Sequence, residues 1–151
     1  MTQEKKELLL KDLCARLPYN LNVCLYEKER CILMGIKGDK VYLDVDSDPF
    51  HIESIKPYLR PMSSMTEEER IEFSKLLVKR YCEEDWEGHI STSYCIEIDN
   101  VYTDDEDGIK YPSTFLMDAI DWLNKHHFDY RGLIPLGLAI EVTEENNPYK
   151  D

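Results

Sequence analysis

Most of the signatures by which a sequence announces chemistry are missing from this one. Its 151 residues include only 6 glycines, too few for a phosphate-cradling loop. None of Gly-x-Gly-x-x-Gly, Gly-x-x-x-x-Gly-Lys, Gly-x-Ser-x-Gly or His-Glu-x-x-His occurs, which removes the common nucleotide-fold, hydrolase and zinc-protease readings. The 5 cysteines (Cys14, Cys24, Cys31, Cys82, Cys95) are odd in number and contain no Cys-x-x-Cys pair. Neither a disulfide framework nor a zinc ribbon is expected, and they read as small buried apolar residues in a reducing compartment. No run approaches the roughly 18 apolar residues of a membrane span. Met1 to Lys11 also lacks the apolar stretch of a signal peptide, so a cytoplasmic location is expected.

Basic residues are scarce in one half only. Residues 1–80 hold 14 acidic and 14 basic side chains, whereas residues 81–151 hold 17 acidic and 4 basic, so the net charge of −13 lies wholly in the second half. Direct binding of nucleic acid or an anionic membrane is disfavoured, because both need Lys and Arg to displace counterions. The densest acid is Glu83, Glu84, Asp85 and Glu87, then Asp104, Asp105, Glu106 and Asp107, then Glu141, Glu144 and Glu145. Such runs are either solvated loops or a surface offered to a basic groove on a partner protein.

Calcium is the first test for carboxylate-rich loops. Asp44-Val45-Asp46-Ser47-Asp48 has the first alternating ligands of an EF-hand, but Pro49 stands at the glycine position and Ile55 at that of the bidentate glutamate. Aligning Gly108 with the EF-hand glycine fares no better, since it puts Thr103 first and Thr114 last. No metal or cofactor is implied, and no catalytic residue is assigned.

Hydrophobic periodicity supplies the fold. Thr2 to Leu17 reads as a helix on Leu9, Leu13 and Leu17, with charged residues on its other face, ended by Pro18. The period then becomes two, in Leu21/Val23/Leu25, Ile32/Met34/Ile36 and Val41/Leu43/Val45, the last two strands joined by a tight turn at Lys37-Gly38-Asp39-Lys40. A further extended segment runs from Phe50 to Leu59. Overlapping capping boxes, Ser64 to Glu67 and Thr66 to Glu69, start a second helix that fades near Cys82. A strand is expected over Ser93–Ile98 and a third helix from Pro112-Ser113, with Leu116, Ile120, Leu123 and His127 on one face. Leu138, Ile140 and Val142 form a final strand, and a polar tail from Thr143 is expected to fray. The class is α+β: an N-terminal helix on a small antiparallel sheet, either a curled sheet or an incomplete SH3-like barrel, then a linking helix and a C-terminal helix with additional strands. Residues 1–62 would form the first part and residues 63–151 an acidic second part packed on it as one compact unit, with joints at 61–66 and 82–90.

Two constellations are candidates for ligand binding. Trp122, His126, His127, Asp129, Tyr130 and Arg131 crowd one helix end and offer two imidazoles, a guanidinium and stacking rings to a phosphate or nucleobase. The alternative is structural: one histidine caps helix carbonyls, the other packs inward, and Asp129 pairs with Arg131. Lys56-Pro57-Tyr58-Leu59-Arg60 is the other, its two cations able to receive an anion unless Arg60 pairs with Glu67–Glu69 and Tyr58 enters the core.

Three blocks, Lys6–Tyr19, Ile55–Glu69 and Asp121–Ile134, together 43 residues, resemble small proteins of Bacteroidota phages and mobile genetic elements, a family to which no activity is assigned. The resemblance transfers no catalytic residue, and the segment from Cys82 to Pro112 carries none of its phrases. The leading expectation is a non-enzymatic acidic binding protein of a phage or mobile element, antagonising a host defence or nucleic-acid enzyme through Glu83, Glu84, Asp85 and Asp104–Asp107. A second is a small-ligand binder that sequesters a nucleotide-like signal with Arg60, Trp122, His126, His127, Tyr130 and Arg131. A third is an enzyme whose His/Cys site is assembled only in space.

Overall fold

A computed structural model describes residues 1–82 and 113–150. Its elements are α1 (Gln3–Arg16), β1 (Asn22–Leu25), β2 (Glu29–Lys37), β3 (Lys40–Leu43), β4 (Asp46–His51), β5 (Ile55–Leu59), α2 (Glu67–Cys82), α3 (Ser113–Lys125) and β6 (Ile140–Glu141). The class is α+β. The expected strand over Ser93–Ile98 and the loop at Asp104–Gly108 lie outside the described residues, as do the candidate protein-binding residues Glu83, Glu84, Asp85 and Asp104–Asp107. Among the described residues, no helix is long and apolar enough to cross a membrane.

The chain divides into two compact units. One comprises Met1–Ser64 together with Leu123–Asp151, the other Met65–Trp122. The joint expected at 61–66 contains the first boundary, but the last part of the chain groups with the first 64 residues rather than with the middle.

The first unit is built on one mixed sheet in the order β4-β3-β2-β1-β5-β6. All its neighbours are antiparallel except β5 and β6, which pair in parallel through Tyr58–Ile140 and Leu59–Glu141. The sheet is open, so the SH3-like comparison does not extend to a closed barrel. Thr2 caps α1 by accepting from the Lys5 amide (3.3 Å), and the buried stripe of α1 is Leu9, Asp12, Leu13 and Arg16. That stripe corrects the expectation that its charged residues all face away. Leu9 and Leu13 pack in a core with Leu21, Val23, Leu25, Leu33, Val41, Leu43, Ile52, Ile55, Leu59 and Leu133, each such side chain contributing about 1.5–3 kcal/mol by leaving water.

The alternation expected in β2 fails at one residue. Leu33 pairs with Leu43 and Gly35 with Tyr42, so Met34 is an extra residue opposite no partner. This bulge shifts the phase. Cys31 and Leu33 are inside before it, Met34 is 63% exposed, and Ile36 packs on the core after it. Likewise Val45 sits in the turn between β3 and β4 and is exposed, and Cys14 is exposed while Cys24 and Cys31 are buried.

The two hairpins use different turn chemistry. Gly38, with φ +61°, occupies the first central position of the two-residue β2–β3 turn, a place that favours glycine. In the β1–β2 turn, Lys28 N donates to Leu25 O (3.0 Å) while Tyr26 and Glu27 hold φ of 51° and 58°. Both are left-handed without being glycine, which costs energy at each. External contacts hold them: Tyr26 N donates to Ser54 O (2.9 Å), the Tyr26 ring meets Phe50 edge-on, and Glu27 pairs with Lys56 (2.8 Å). Glu27→Gly is expected to stabilise the protein by about 0.5–1 kcal/mol, since the exposed ion pair it removes contributes less than the strain it relieves. A urea midpoint at or below that of the parent would contradict this.

In the second unit, the capping box predicted at Thr66 is present. Glu69 N donates to Thr66 Oγ1 (3.1 Å) and Thr66 N to Glu69 Oε1 (3.3 Å). Phe73 of α2 packs on Trp122 of α3, ring centroids 5.2 Å apart. Among the described side chains of α3, Ala119 and Trp122 of this unit and Leu123 and Asn124 of the first are buried, whereas Ile120, expected inside, is 38% exposed.

Candidate functional site

The sequence constellation at the end of α3 separates into two sets of residues. One set is structural. Asp12 and Arg16 are both wholly buried and joined by two hydrogen bonds, Nε to Oδ2 at 2.7 Å and Nη2 to Oδ1 at 3.0 Å. Arg16 Nη2 also donates to Phe128 O (2.6 Å). Arg131 turns to this pair rather than to Asp129, its Nε 3.5 Å from Asp12 Oδ1. Tyr130 lies beneath both guanidiniums and donates its hydroxyl to Asn124 Oδ1 (2.8 Å). Asp129 instead accepts from the amides of Leu133 and Ile134, both at 2.8 Å, and so fixes the turn that leads to β6. Burial pushes the Asp12 carboxyl above the ordinary aspartate range even against the pull of Arg16 and Arg131.

The other set lines a groove. After α3 the chain takes a Schellman ending: His127 N donates to Asn124 O (3.1 Å) and Phe128 N to Leu123 O (3.0 Å). His127 occupies the left-handed position usual for glycine, at φ +61°. Beyond it, Phe128 runs parallel to the end of β5, with Arg60 N donating to His127 O and Asp129 N to Arg60 O, both at 2.8 Å. Arg60 is thereby set beside the two histidines. Its guanidinium carbon stands 4.2 Å from the Phe128 ring centroid, and Nη2 donates to Ser64 O (3.3 Å).

The tail completes this groove, contrary to the expectation that it frays. Thr143 N donates to Asn146 Oδ1 (2.7 Å), and Asn146 Nδ2 to Glu141 O (3.0 Å), folding the segment back. The Tyr149 ring then stacks on His127, centroids 3.8 Å apart and planes within 10°. Its hydroxyl donates to Tyr58 O (2.8 Å) and accepts from Asn22 N (3.3 Å). Burial, above all, pushes the Tyr149 phenol up.

The result is an open groove of about 720 Å³ lined by Tyr19, Asn20, Asn22, Arg60, Lys125, His126, His127, Asn147, Pro148, Tyr149 and Lys150. That volume lies within the ~300–1,000 Å³ common for small-molecule sites. Among the described residues, its lining side chains include three permanent cations and two imidazoles and no carboxylate, thiol or aliphatic hydroxyl. Burial, assisted by Arg16, His126 and Arg60, lowers His127 to about 3, so its imidazole is neutral at physiological pH.

Of the ligand-binding residues predicted from sequence, Arg60, His126 and His127 line the groove. Tyr130 and Arg131 belong to the Asp12–Arg16 network, and Trp122 packs on Phe73. Sequence reasoning missed Asn20, Asn22, Lys125 and the tail residues Asn147–Lys150. One signal was available: Pro148-Tyr149 is an apolar pair in an otherwise polar tail.

A second, smaller hollow of about 200 Å³ lies between α1 and the β2–β3 turn. Asp39 there meets His51 (2.9 Å) and Lys6 (3.6 Å). Desolvation opposes ionisation of Asp39, but His51, Lys6 and Lys40 outweigh it and hold the carboxyl below its usual range. These opposite charges satisfy each other and tie α1 to the sheet. Burial first, then Glu29 and Asp44, push the Cys31 thiol up to about 11, which disfavours its thiolate at neutral pH. Among the described residues, no cluster of His, Cys, Asp and Glu is arranged to hold a metal ion.

No family model, curated protein or solved structure matches the chain. The class is therefore defined by the architecture itself, an α+β unit with an open mixed sheet and a cationic groove where β5, the end of α3 and the tail meet.

Proposed function

We propose that this protein is a small-ligand binding protein that holds a nucleotide-like anion in the groove at Arg60, Lys125, His126, His127, Tyr149 and Lys150. One observation carries the reading. In a chain with 31 acidic and 18 basic residues, the described residues that line the groove include three cations and two imidazoles and no carboxylate. Solubility alone distributes charges of both signs over a surface. Asparagine amides and tyrosine rings beside the cations suit a polar, planar body attached to the anion. Among the described lining residues there is no serine, threonine or cysteine nucleophile and no carboxylate base, which favours retention of the ligand over its conversion. The resemblance to phage and mobile-element proteins fits an accessory protein that sequesters a signal of its host.

Thermal shift against a panel of linear and cyclic nucleotides tests this. Stabilisation follows the ratio of ligand concentration to Kd and reaches about 2.7 kcal/mol at one hundred times Kd. Arg60→Gln is expected to weaken binding at least about tenfold, the scale of one charge-assisted hydrogen bond. No stabilisation by any nucleotide at millimolar concentration would remove the reading.

The charge asymmetry of the sequence favours a second reading, in which the acidic half docks on a basic host protein. Exchanging Asp104, Asp105, Glu106 and Asp107 for Asn and Gln would weaken such a complex and flatten its salt dependence. Unchanged affinity would eliminate it.

A further inference from the structure

Resting on the groove reading, we infer that the Tyr149 ring is an internal occupant of the ligand's base subsite: a nucleobase displaces it, stacks on His127 and takes over the two backbone hydrogen bonds that the Tyr149 hydroxyl now makes. The β1–β5 ladder pairs Leu25 with Ile55, Cys24 with Lys56 and Val23 with Pro57. Next in that register come Asn22 and Tyr58, and there a side chain enters: the Tyr149 hydroxyl accepts from Asn22 N (3.3 Å) and donates to Tyr58 O (2.8 Å). One backbone donor and one backbone acceptor thus meet the edge of a ring whose face lies on an imidazole, centroids 3.8 Å apart. Unpaired bases are recognised in this way, by stacking on the face and hydrogen bonds at the edge. A base offers separate donor and acceptor atoms where the phenol has a single oxygen to serve both.

The subsite is built without the tail. His127 is positioned by the body of the unit, its N donating to Asn124 O (3.1 Å) and its O accepting from Arg60 N (2.8 Å). The tail, in contrast, is lightly held. Among the described residues beyond Val142, its hydrogen bonds to strands other than β6 are the two of the Tyr149 hydroxyl, while the rest close within the tail or on Glu141. The stacked arrangement also leaves a buried group unmet: His127 is 7% exposed, and its Nδ1 has no hydrogen-bond partner among the described residues. Buried polar atoms are ordinarily paired. A phenol has no further polar group to offer, whereas a sugar-linked base brings several. An occupant on a short tether competes with an external ligand at high effective concentration, and apparent affinity falls with the fraction of molecules in which the ring has left. Removing the ring therefore raises affinity for a ligand that uses the subsite and leaves it unchanged for one that does not.

Calorimetric titration of the parent, Tyr149→Ala and Asn146→Ala proteins with purine and pyrimidine nucleoside monophosphates, and with ribose phosphate, which has no base, tests this. Tyr149→Ala is expected to bind at least one of the monophosphates about tenfold more tightly than the parent, the scale expected when the open fraction is a tenth or less, and ribose phosphate equally. Asn146 is exposed, and Asn146→Ala breaks the two bonds that fold the tail back while keeping the ring. A smaller rise of the same sign is expected there, which tests the inference even if Tyr149→Ala folds poorly. Nucleotide affinity unchanged or lowered in both variants would overturn the inference and leave the groove a nucleotide site with Tyr149 as part of its wall. An equal rise for ribose phosphate would overturn it as well, because the tail would then cover the groove without filling the base position. Silence of all three proteins toward every nucleotide would overturn both readings.

Discussion

Replacing Arg16 with methionine is expected to destabilise the fold by about 3–5 kcal/mol, the scale for removing one partner of a buried ion pair. The substitution strips two hydrogen bonds from Asp12 and one from Phe128 O, in a site with no access to water. Arg131 stands 3.5 Å from Asp12 and moderates the loss, but it is a single, longer contact. The pair itself adds little net stability, because desolvation opposes both charges, as the raised Asp12 carboxyl shows. The double variant Asp12→Leu, Arg16→Met is therefore expected to be more stable than Arg16→Met alone. Urea unfolding of the three proteins checks the order, and an Arg16→Met variant within about 1 kcal/mol of the parent would contradict it.

Acid is expected to weaken the protein through His127 at a pH where few carboxylates titrate. The imidazole has an ordinary value of 6.5 and is lowered to about 3 in the fold, by burial first and then by Arg16, His126 and Arg60. Between those values the unfolded chain binds a proton that the native state does not, so stability rises with pH there. Its contribution is complete above 6.5 and falls as pH drops toward 3, at about 1.4 kcal/mol per pH unit. His127→Asn retains a residue tolerant of the left-handed conformation and removes the titration. The variant is expected to flatten the slope between about pH 6.5 and 5, where it otherwise amounts to about 2 kcal/mol. An unchanged slope would mean that protonation of His127 is not coupled to unfolding.

Local signals in the sequence were reliable wherever the cause was local. Thr2 and the Thr66–Glu69 box cap their helices, and the turn at Gly38 joins its strands, because each depends on residues within a few positions. Arg60, His126 and His127, candidates on their chemistry alone, line one groove. The failures depend on partners distant in the chain. Arg16 is buried because it reaches Phe128, 112 residues on, and the tail is ordered because Tyr149 reaches Tyr58, 91 residues back. Hydrophobic periodicity carries no record of such meetings. Met34 fails for another reason: a bulge inserts one residue into a ladder, and an alternation count has no way to register it.

The division of the chain has an evolutionary consequence. Since the groove-bearing unit is assembled from Met1–Ser64 and Leu123–Asp151, everything between is an insert whose ends are already fixed by the host unit. Loop-closure entropy grows only logarithmically, by about 0.6 kcal/mol per doubling of length. Descendants of this gene can therefore lengthen or shorten the inserted module at little thermodynamic penalty while inheriting the groove-bearing unit.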